Sequence, residues 1–186
     1  MQRDAEATRQ RLIAAGRAEF AAHGLNGARV DRIAEASRSN KAQIYHYFGS
    51  KAGLFEAVWQ GAVEQIITSL PSDWTDLPEV AARLGDIYAE HPELPRLITW
   101  QRMEYGSAPP NALGVEDVRR RIAVLADAQV RGVLTDRFEP RVLFAVIIHL
   151  AMLWPSTAPE LLAVVDLDDR AKRREVVRDV VAALVR

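Results

Sequence analysis

The most informative stretch of the chain is Ile33-Ala34-Glu35-Ala36-Ser37-Arg38-Ser39-Asn40-Lys41-Ala42-Gln43-Ile44-Tyr45. Val30, Ile33 and Ala34 are spaced to share one face of a short helix, which we expect over residues 29–36. A second helix is expected over residues 40–48, after the polar break at 37–39. Two short helices joined by three or four residues are typical of a helix-turn-helix.

In a helix-turn-helix, the first residues of the second helix enter the major groove of DNA. Here these residues are Asn40, Lys41, Ala42 and Gln43. Asn40 can cap the helix, Lys41 can reach guanine or phosphate, and Gln43 can pair with adenine. Ala42 leaves room for close approach and can touch a thymine methyl. The spacing alone also fits a solvated helix start in an ordinary helical bundle.

Three neighbouring stretches of sequence favour the DNA-binding interpretation over an ordinary helical bundle. They are Phe20-Ala-Ala-His-Gly24, Val30-Asp-Arg-Ile-Ala34 and Ile44-Tyr-His-Tyr-Phe48-Gly-Ser-Lys51-Ala-Gly-Leu-Phe55. Together they closely resemble the DNA-binding domain of the tetracycline-repressor-like (TetR) family of transcription regulators. The resemblance covers about residues 9–56, and from residue 70 onward only a similar helical layout is expected.

The resemblance implies a role for individual positions. Tyr45 and Lys51 match family residues that contact DNA phosphates, which fix the register of the protein without reading sequence. His46 either faces the DNA backbone too or is a surface histidine without a role. Tyr47 and Phe48 are expected in the core. The base-reading positions of the family correspond to Lys41, Ala42 and Gln43.

The chain departs from the family pattern at three points. Arg38 stands where the family usually has glycine, and Ser39 stands where it usually has valine, so the turn is expected to be slightly altered. Arg38 can instead add a phosphate contact. Ala28-Arg29 replace the usual Thr or Ser at the start of the preceding helix, and Arg29 can supply a charged phosphate contact there.

Charge is uneven along the 186 residues, whose net charge is −1. Residues 1–55 hold nine Lys and Arg against five Asp and Glu, a net +4, which leaves −5 for the remainder. A basic head indicates an anionic partner, although chance scatter gives the same count. The chain has no cysteine, which excludes disulfides, thiolate metal sites and a cysteine nucleophile.

Helical spacing continues to the end of the chain, so we predict an all-α fold. An N-terminal three-helix DNA-binding domain, residues 1–50, is expected to precede a helical ligand-binding and dimerisation domain, residues 51–186. Further helices are expected over residues 5–23, 50–70, 77–90, 93–105, 115–135, 141–154 and 170–185. The longest apolar run, residues 142–154, is too short for a membrane span.

Two apolar stripes near the C-terminus suggest how the chain dimerises. A symmetric dimer is expected because one recognition helix contacts too few bases, and a palindromic operator matches it. Packing within one chain is the alternative for both stripes. The predicted interface comprises Leu143, Ile147, Leu150 and Trp154 on one helix and Val177, Val180, Val181 and Leu184 on another.

The middle helices carry aromatic residues and methionine that can line an apolar pocket for a small effector, although such residues are most often core. The candidate ligand contacts are Trp59, Tyr88, Trp100 and Met103. Arg102 and Glu104 can orient a polar ligand or lie in solvent. His149 is expected to be a hydrogen-bonded core residue.

These observations predict a cytoplasmic, ligand-responsive transcription regulator, most simply a repressor that binds a palindromic duplex DNA operator as a homodimer. No catalytic constellation, metal motif or cofactor motif occurs, and no membrane partner is expected. The alternative is a helical small-molecule-binding protein or enzyme with an incidental helix-turn-helix. The effector and the operator sequence are unknown.

Overall fold

A computed structural model describes residues 2–104, 109–165 and 169–185 of the chain, and every regular element in these ranges is a helix. The predicted all-α class is confirmed. In chain order the elements are α1 (Gln2–Gly27), α2 (Val30–Ala36), α3 (Lys41–Phe48), α4 (Lys51–Ser69), α5 (Leu77–Glu90), α6 (Glu93–Glu104), α7 (Ala112–Val130), α8 (Pro140–Ala151), α9 (Leu153–Ser156), α10 (Pro159–Val165) and α11 (Arg170–Leu184).

Polar caps mark where several helices begin. Asp76, Asn111 and Asp169 each accept a backbone N–H from the first turn of α5, α7 and α11 respectively. Such side chains satisfy donors that have no partner inside the helix. The expected helices over residues 77–90 and 93–105 therefore agree with α5 and α6 to within a residue.

Two expected boundaries in the second half of the chain are wrong, and one helix was not expected. α7 ends at Val130 rather than near residue 135, because Gly132 takes a positive φ of 71° that closes the helix. The helix expected over residues 141–154 is divided into α8 and α9 at Met152. α10 was not expected, and none of its side chains is buried.

The described residues form two compact units. The first comprises those of Met1–Glu64 and Glu93–Pro109, and the second comprises those of Gln65–Pro92 and Pro110–Arg186. This division differs from the expected one at residue 50, since most of α4 and all of α6 group with the N-terminal helices. The functional division into residues 1–50 and 51–186 stays a prediction.

The core of the first unit is built from large apolar side chains on four of its helices. Phe20 of α1 and Phe55 of α4 meet edge to face, with ring centroids 5.2 Å apart. Ile33 of α2 and Ile44 of α3 are fully buried. Helices α2 and α3 are therefore fixed on their inner faces, which leaves their outer faces exposed.

The core of the second unit brings together α5, α7, α8 and α11 with the segment before α5. Trp74 stacks on Phe144 with ring centroids 5.3 Å apart. Helix α5 packs against α8 and α11, and α8 packs against α7. The buried cluster comprises Trp74, Leu77, Val80, Ala81, Leu125, Ala128, Leu134, Leu143, Phe144, Ile147, Val177 and Val181.

Candidate nucleic-acid interface

The turn between α2 and α3 gives the candidate site its shape. Ser37 is buried, and Arg38 adopts a left-handed conformation with φ 52°. The Ser39 N–H donates to the Ala34 carbonyl at 2.9 Å, which closes the turn. The turn thus keeps a positive φ at the position where the family usually has glycine, and a non-glycine residue there is strained by about 1–2 kcal/mol.

Helix α3 begins with a capped and exposed amino end. Asn40 Oδ1 accepts the Gln43 N–H at 3.0 Å, so the expected cap is present. Lys41 and Ala42 are exposed, while Ile44 is completely buried. The burial of Ile44 holds the helix on the unit and leaves the other face of its first turn open to a partner.

Two side chains of α3 have partners that bear on base reading. The Lys41 ammonium lies 2.5 Å from Asp31 Oδ1 of α2, and both side chains are more than half exposed. Such a pair contributes little in water, so a DNA phosphate can displace Asp31. The Ser39 hydroxyl hydrogen-bonds Gln43 Oε1, which orients the Gln43 amide.

The remaining DNA-contact candidates divide into free and engaged groups. Tyr45 is 52% exposed, and His46, Arg29 and Arg38 are exposed as well. Lys51 is only half-exposed, and its ammonium donates to the Ala28 carbonyl at 3.0 Å. Tyr47 and Phe48 are half-buried rather than fully in the core.

Glu19 is a functional candidate that the sequence reasoning missed. Its carboxylate accepts the Arg29 N–H at 2.8 Å and pairs with the Arg32 guanidinium, so it caps the start of α2 from α1. Arg29 itself offers no side-chain cap. The sequence contains one indication of this role, since Glu19 is a carboxylate among the apolar positions of α1.

The same contacts set the ionisation of Glu19. Burial raises the pKa of this carboxyl, but the Arg32 hydrogen bond, the Arg29 N–H and the nearby positive charges outweigh it. The pKa lies below its ordinary value of 4.5 as a result. Glu19 is therefore ionised at neutral pH and holds α2 through a charged contact.

The four candidate ligand contacts are divided between the two units. Trp59 and Trp100 belong to the first unit, whereas Tyr88 is buried in the second. Met103 is 70% exposed, and its role as a ligand contact stays a prediction. Tyr105, a further aromatic of this region, lies outside the described residues. Burial raises the pKa of Tyr88 to about 12, so its hydroxyl is neutral.

Four members of the predicted dimer interface are instead core residues of the second unit. Leu143, Ile147, Val177 and Val181 are at most 3% exposed, so the structure leaves no surface on them for a partner. Leu150, Trp154 and Leu184 pack partly buried against the same core, and only Val180 is exposed. His149, expected in the core, is exposed and bonds the Ala145 carbonyl.

The exposed apolar face of α8 lies one position away from the predicted stripe. Val142 is 45% exposed and Val146 is 38% exposed, and Leu153 of α9 is 37% exposed. Helix α8 is apolar on both sides, so periodicity alone did not say which stripe faces the core. We call Val142, Val146, Leu153 and Val180 the exposed valine face.

Comparison with known families agrees with this architecture. The family model for bacterial regulatory proteins of the tetR family matches residues 12–58, and the model for the tetracyclin repressor-like C-terminal domain matches residues 76–183, more than half of the chain. The chain belongs to the TetR family. As a TetR-family member it is a DNA-binding transcription regulator, and the helix-turn-helix is α2 and α3.

Individual TetR-family relatives cover most of the chain. It is 42% identical over 161 residues to the HTH-type transcriptional repressor SCO4008 of Streptomyces coelicolor, which spans 86% of this chain and 83% of the relative. The HTH-type transcriptional repressor NicS of Pseudomonas putida is 29% identical and covers 71% of this chain and 68% of the relative.

A solved structure supports the same assignment. The transcriptional regulator SCO4942 of Streptomyces coelicolor superposes with a TM-score of 0.87 at 35% identity, covering 96% of this chain and 98% of that one. A TetR-family regulator from Marinobacter aquaeolei has a TM-score of 0.72 at 21% identity, which shows a shared fold. It covers 100% of this chain and 98% of that one.

In residues 2–104, 109–165 and 169–185, none of the helices is long and apolar enough to span a membrane. Within the same ranges, no cluster of His, Asp and Glu side chains is arranged to hold a metal ion. The relatives named above are described as transcriptional repressors or regulators.

Proposed function

We propose that this TetR-family protein is an effector-responsive repressor that binds a palindromic operator as a homodimer. The observation that carries the proposal is the exposed amino end of α3, where a capped helix start presents Lys41, Ala42 and Gln43 beside the exposed Tyr45. A helix of this kind fits the major groove with its first turn toward the bases.

The side chains at this surface suggest two kinds of DNA contact. Lys41 offers three donors to guanine or phosphate, Ala42 can touch a thymine methyl, and Gln43 suits adenine. The phosphate contacts are proposed for residues around this helix, where charge or a hydroxyl group is available. They are Arg29, Arg38, Asn40, Tyr45, His46 and Lys51.

The exposed valine face supports the dimer. Four apolar side chains that are each 37–45% exposed lie on α8, α9 and α11 of one unit, and α8 packs against α11. Burial against a second copy removes this surface from water, which favours association. Two copies then place two recognition helices on half-sites that are about 34–36 Å apart.

The effector is proposed to act by population shift. A small molecule lowers operator affinity only as far as it prefers the state in which the two recognition helices do not fit the DNA. Tyr88 of the second unit is a proposed contact, and its neutral hydroxyl can donate a hydrogen bond to the effector. Tyr88→Phe should raise the effector concentration needed for release and leave operator affinity unchanged.

The test of DNA recognition begins with selection of bound duplexes from random DNA, followed by fluorescence anisotropy on the recovered site. A palindrome with two half-sites is expected, and affinity should fall steeply with salt because phosphate contacts release counterions. Recovery of no preferred sequence would overturn the proposal.

A pair of lysine variants sharpens this test. Lys41→Ala combined with Gln43→Ala should weaken binding to the selected site by roughly 100-fold, because each base contact discriminates by about 1–3 kcal/mol. Lys172→Ala is the matched control, since it removes an exposed lysine from α11 in the second unit. Equal loss in both variants would show that charge rather than recognition governs binding.

A further inference from the structure

The backbone turn between α1 and α2 is held by charged side chains from elsewhere in the first unit. Gly24 ends the regular part of α1 with φ 67°, and residues 25–29 lead into α2. Three charged groups bind the polar backbone atoms of this turn: Glu104 of α6, Lys51 of α4 and Glu19 of α1. Residues 24–29 with these three side chains are called the charged clamp below.

Glu104 binds the turn at two consecutive amides. Its Oε2 accepts the Leu25 N–H at 2.6 Å, and its Oε1 accepts the Asn26 N–H at 3.3 Å. A carboxylate that accepts two backbone N–H groups forms charge-assisted bonds, which are stronger than neutral ones. The Glu104 carboxylate is therefore engaged with the backbone of this turn.

Lys51 binds the same turn with a positive charge, whereas Glu104 binds it with a negative one. Its ammonium donates to the Ala28 carbonyl at 3.0 Å and lies 3.5 Å from the Asn26 carbonyl. The Glu104 carboxylate thus contacts the Asn26 N–H, and the Lys51 ammonium contacts the Asn26 carbonyl. A change in the position of either side chain moves the peptide that the other one holds.

Trp100 seats α6 on this turn. Its indole N–H donates to the Ala21 carbonyl at 3.3 Å, and a Cβ at Gly24 would lie 2.7 Å from the ring. Gly24 is thus required both by its φ and by the indole. Arg17 pairs with Glu93 at 2.8 Å at the other end of α6, so the register of α6 on α1 is fixed at both ends.

We propose that Glu104 is a positioning residue for DNA binding, which acts through the charged clamp on Lys51. The Glu104 carboxylate fixes the Leu25 and Asn26 amides, and these hold the backbone of residues 24–29 in place. The Asn26 and Ala28 carbonyls of this segment then orient the Lys51 ammonium toward a phosphate. Glu104 lies in the segment matched by the C-terminal family model, yet it sets the geometry of the N-terminal unit. The inference rests on the DNA-binding function proposed above.

The decisive experiment measures operator affinity of the full chain with Glu104→Gln, which keeps the side-chain shape and removes the charge. Affinity should fall about tenfold, the factor that corresponds to loss of one charge-assisted hydrogen bond. Glu56→Gln is the matched control, because Glu56 is an exposed residue of α4 in the same unit. Removing a negative charge there should leave affinity unchanged or slightly raise it.

Two readouts separate positioning from a general loss of structure. The slope of log affinity against log salt should fall by about 0.9 in Glu104→Gln, as expected if one phosphate contact is lost. In a double-mutant cycle, Glu104→Gln should have little further effect when Lys51→Ala is already present. Strict additivity of the two variants, or an unchanged salt slope, would overturn the inference.

Amide hydrogen exchange tests the clamp without DNA. The Leu25 and Asn26 amides should exchange faster in Glu104→Gln, while amides in the core of α3 keep their protection. If the whole first unit loses protection in Glu104→Gln, the exchange is measured in Glu104→Asp instead. That variant keeps the negative charge and shortens the reach of the side chain. Unchanged exchange at both amides in both variants overturns the inference.

The results also distinguish this inference from the proposed function. If the natural chain binds no duplex DNA, the proposed function fails and the positioning role fails with it. If the natural chain and Glu104→Gln bind the operator equally, the proposed function stands and only the positioning role is wrong.

Discussion

Arg38 holds a backbone conformation that residues with a side chain rarely adopt. Its φ of 52° is the one positive value at a non-glycine position in the described residues. The turn persists because its amides are bonded on both sides, with Arg38 N–H to the Glu35 carbonyl and Ser39 N–H to the Ala34 carbonyl. Strain at a site of this kind is compensated by the structure around it.

Arg38→Gly should therefore stabilise the first unit. Relief of the left-handed strain favours the variant, and the greater freedom of glycine in the unfolded chain opposes it, so a net gain of about 0.5–1 kcal/mol is expected. Urea unfolding measures the change, with Arg38→Ala as the control that keeps the strain. Operator affinity should fall at the same time, because a cation is lost. A destabilised Arg38→Gly would contradict the strain argument.

The lowered pKa of Glu19 predicts that the stability of the fold depends on pH in the acid range. Because its pKa in the folded chain lies below its ordinary value of 4.5, its contribution to stability is present above that value. The contribution is lost as the pH falls through the folded pKa. Glu19→Gln should cost about 1 kcal/mol at pH 7 and should flatten the loss of stability below pH 4.5. Chemical unfolding at pH 7 and near pH 3.5 checks both expectations, and an unchanged acid slope would remove Glu19 as the cause.

At the scale of elements, capping and the hydrophobic pattern explain most of the predicted helices. Asn40 and Ser50 begin α3 and α4 as expected, and Gly24 ends the regular part of α1. Two of the errors overlooked local signals, since Gly132 closes α7 and Pro159 opens α10. The division between α8 and α9 at Met152 follows no residue that commonly ends a helix.

A buried ion pair joins three elements of the second unit. Asp117 and Arg121 of α7 are 8% and 5% exposed and are hydrogen-bonded to each other. The Arg121 guanidinium lies 4.5 Å from the centroid of Trp74 and donates to the Ile67 carbonyl of α4 at 3.3 Å. The pair thus ties the end of α4 and the segment before α5 to α7.

Asp117→Asn should destabilise the second unit by about 3 kcal/mol, because it leaves a buried guanidinium without a compensating charge. Asp127→Asn is the control on the same helix, since Asp127 pairs with Arg131 and both are more than half exposed. That control should change stability by no more than about 0.5 kcal/mol. Thermal or urea unfolding distinguishes the two variants. Equal effects would show that burial does not set the value of this pair.

At the scale of the whole molecule, the division of α8 into a core stripe and an exposed stripe decides which residues are available to a partner. Leu143 and Ile147 face the core, whereas Val142 and Val146 face outward. The proposed dimer therefore depends on residues one position away from those that the sequence pattern indicated. This correction changes which variants separate folding from assembly.

Val146→Glu combined with Val180→Glu should give a folded monomer that binds the operator at least about 100-fold more weakly, since the second half-site is lost. Val130→Glu is the control, because Val130 is 88% exposed at the end of α7, outside the exposed valine face. Sedimentation velocity reports the oligomeric state, and anisotropy reports affinity. A dimer that survives the double substitution would place the interface elsewhere.

Sequence alone determined the fold class, the helix-turn-helix and the family, because these depend on local signals. The Tyr45–Lys51 string, the cap at Asn40 and the helical spacing of apolar residues can each be read without knowing what packs against them. The resemblance also marked Arg38 as a departure in the turn, although only the structure shows its positive φ.

Tertiary structure alone decided which of two apolar stripes is core, and which charged residues are structural. The role of Glu104 depends on α6 lying against α1, a contact between residues about 80 positions apart that no local pattern encodes. Lys51 and Glu19 bind backbone groups of a turn, and backbone groups carry no sequence signal. Long-range packing therefore governs the assignments that local chemistry could not make.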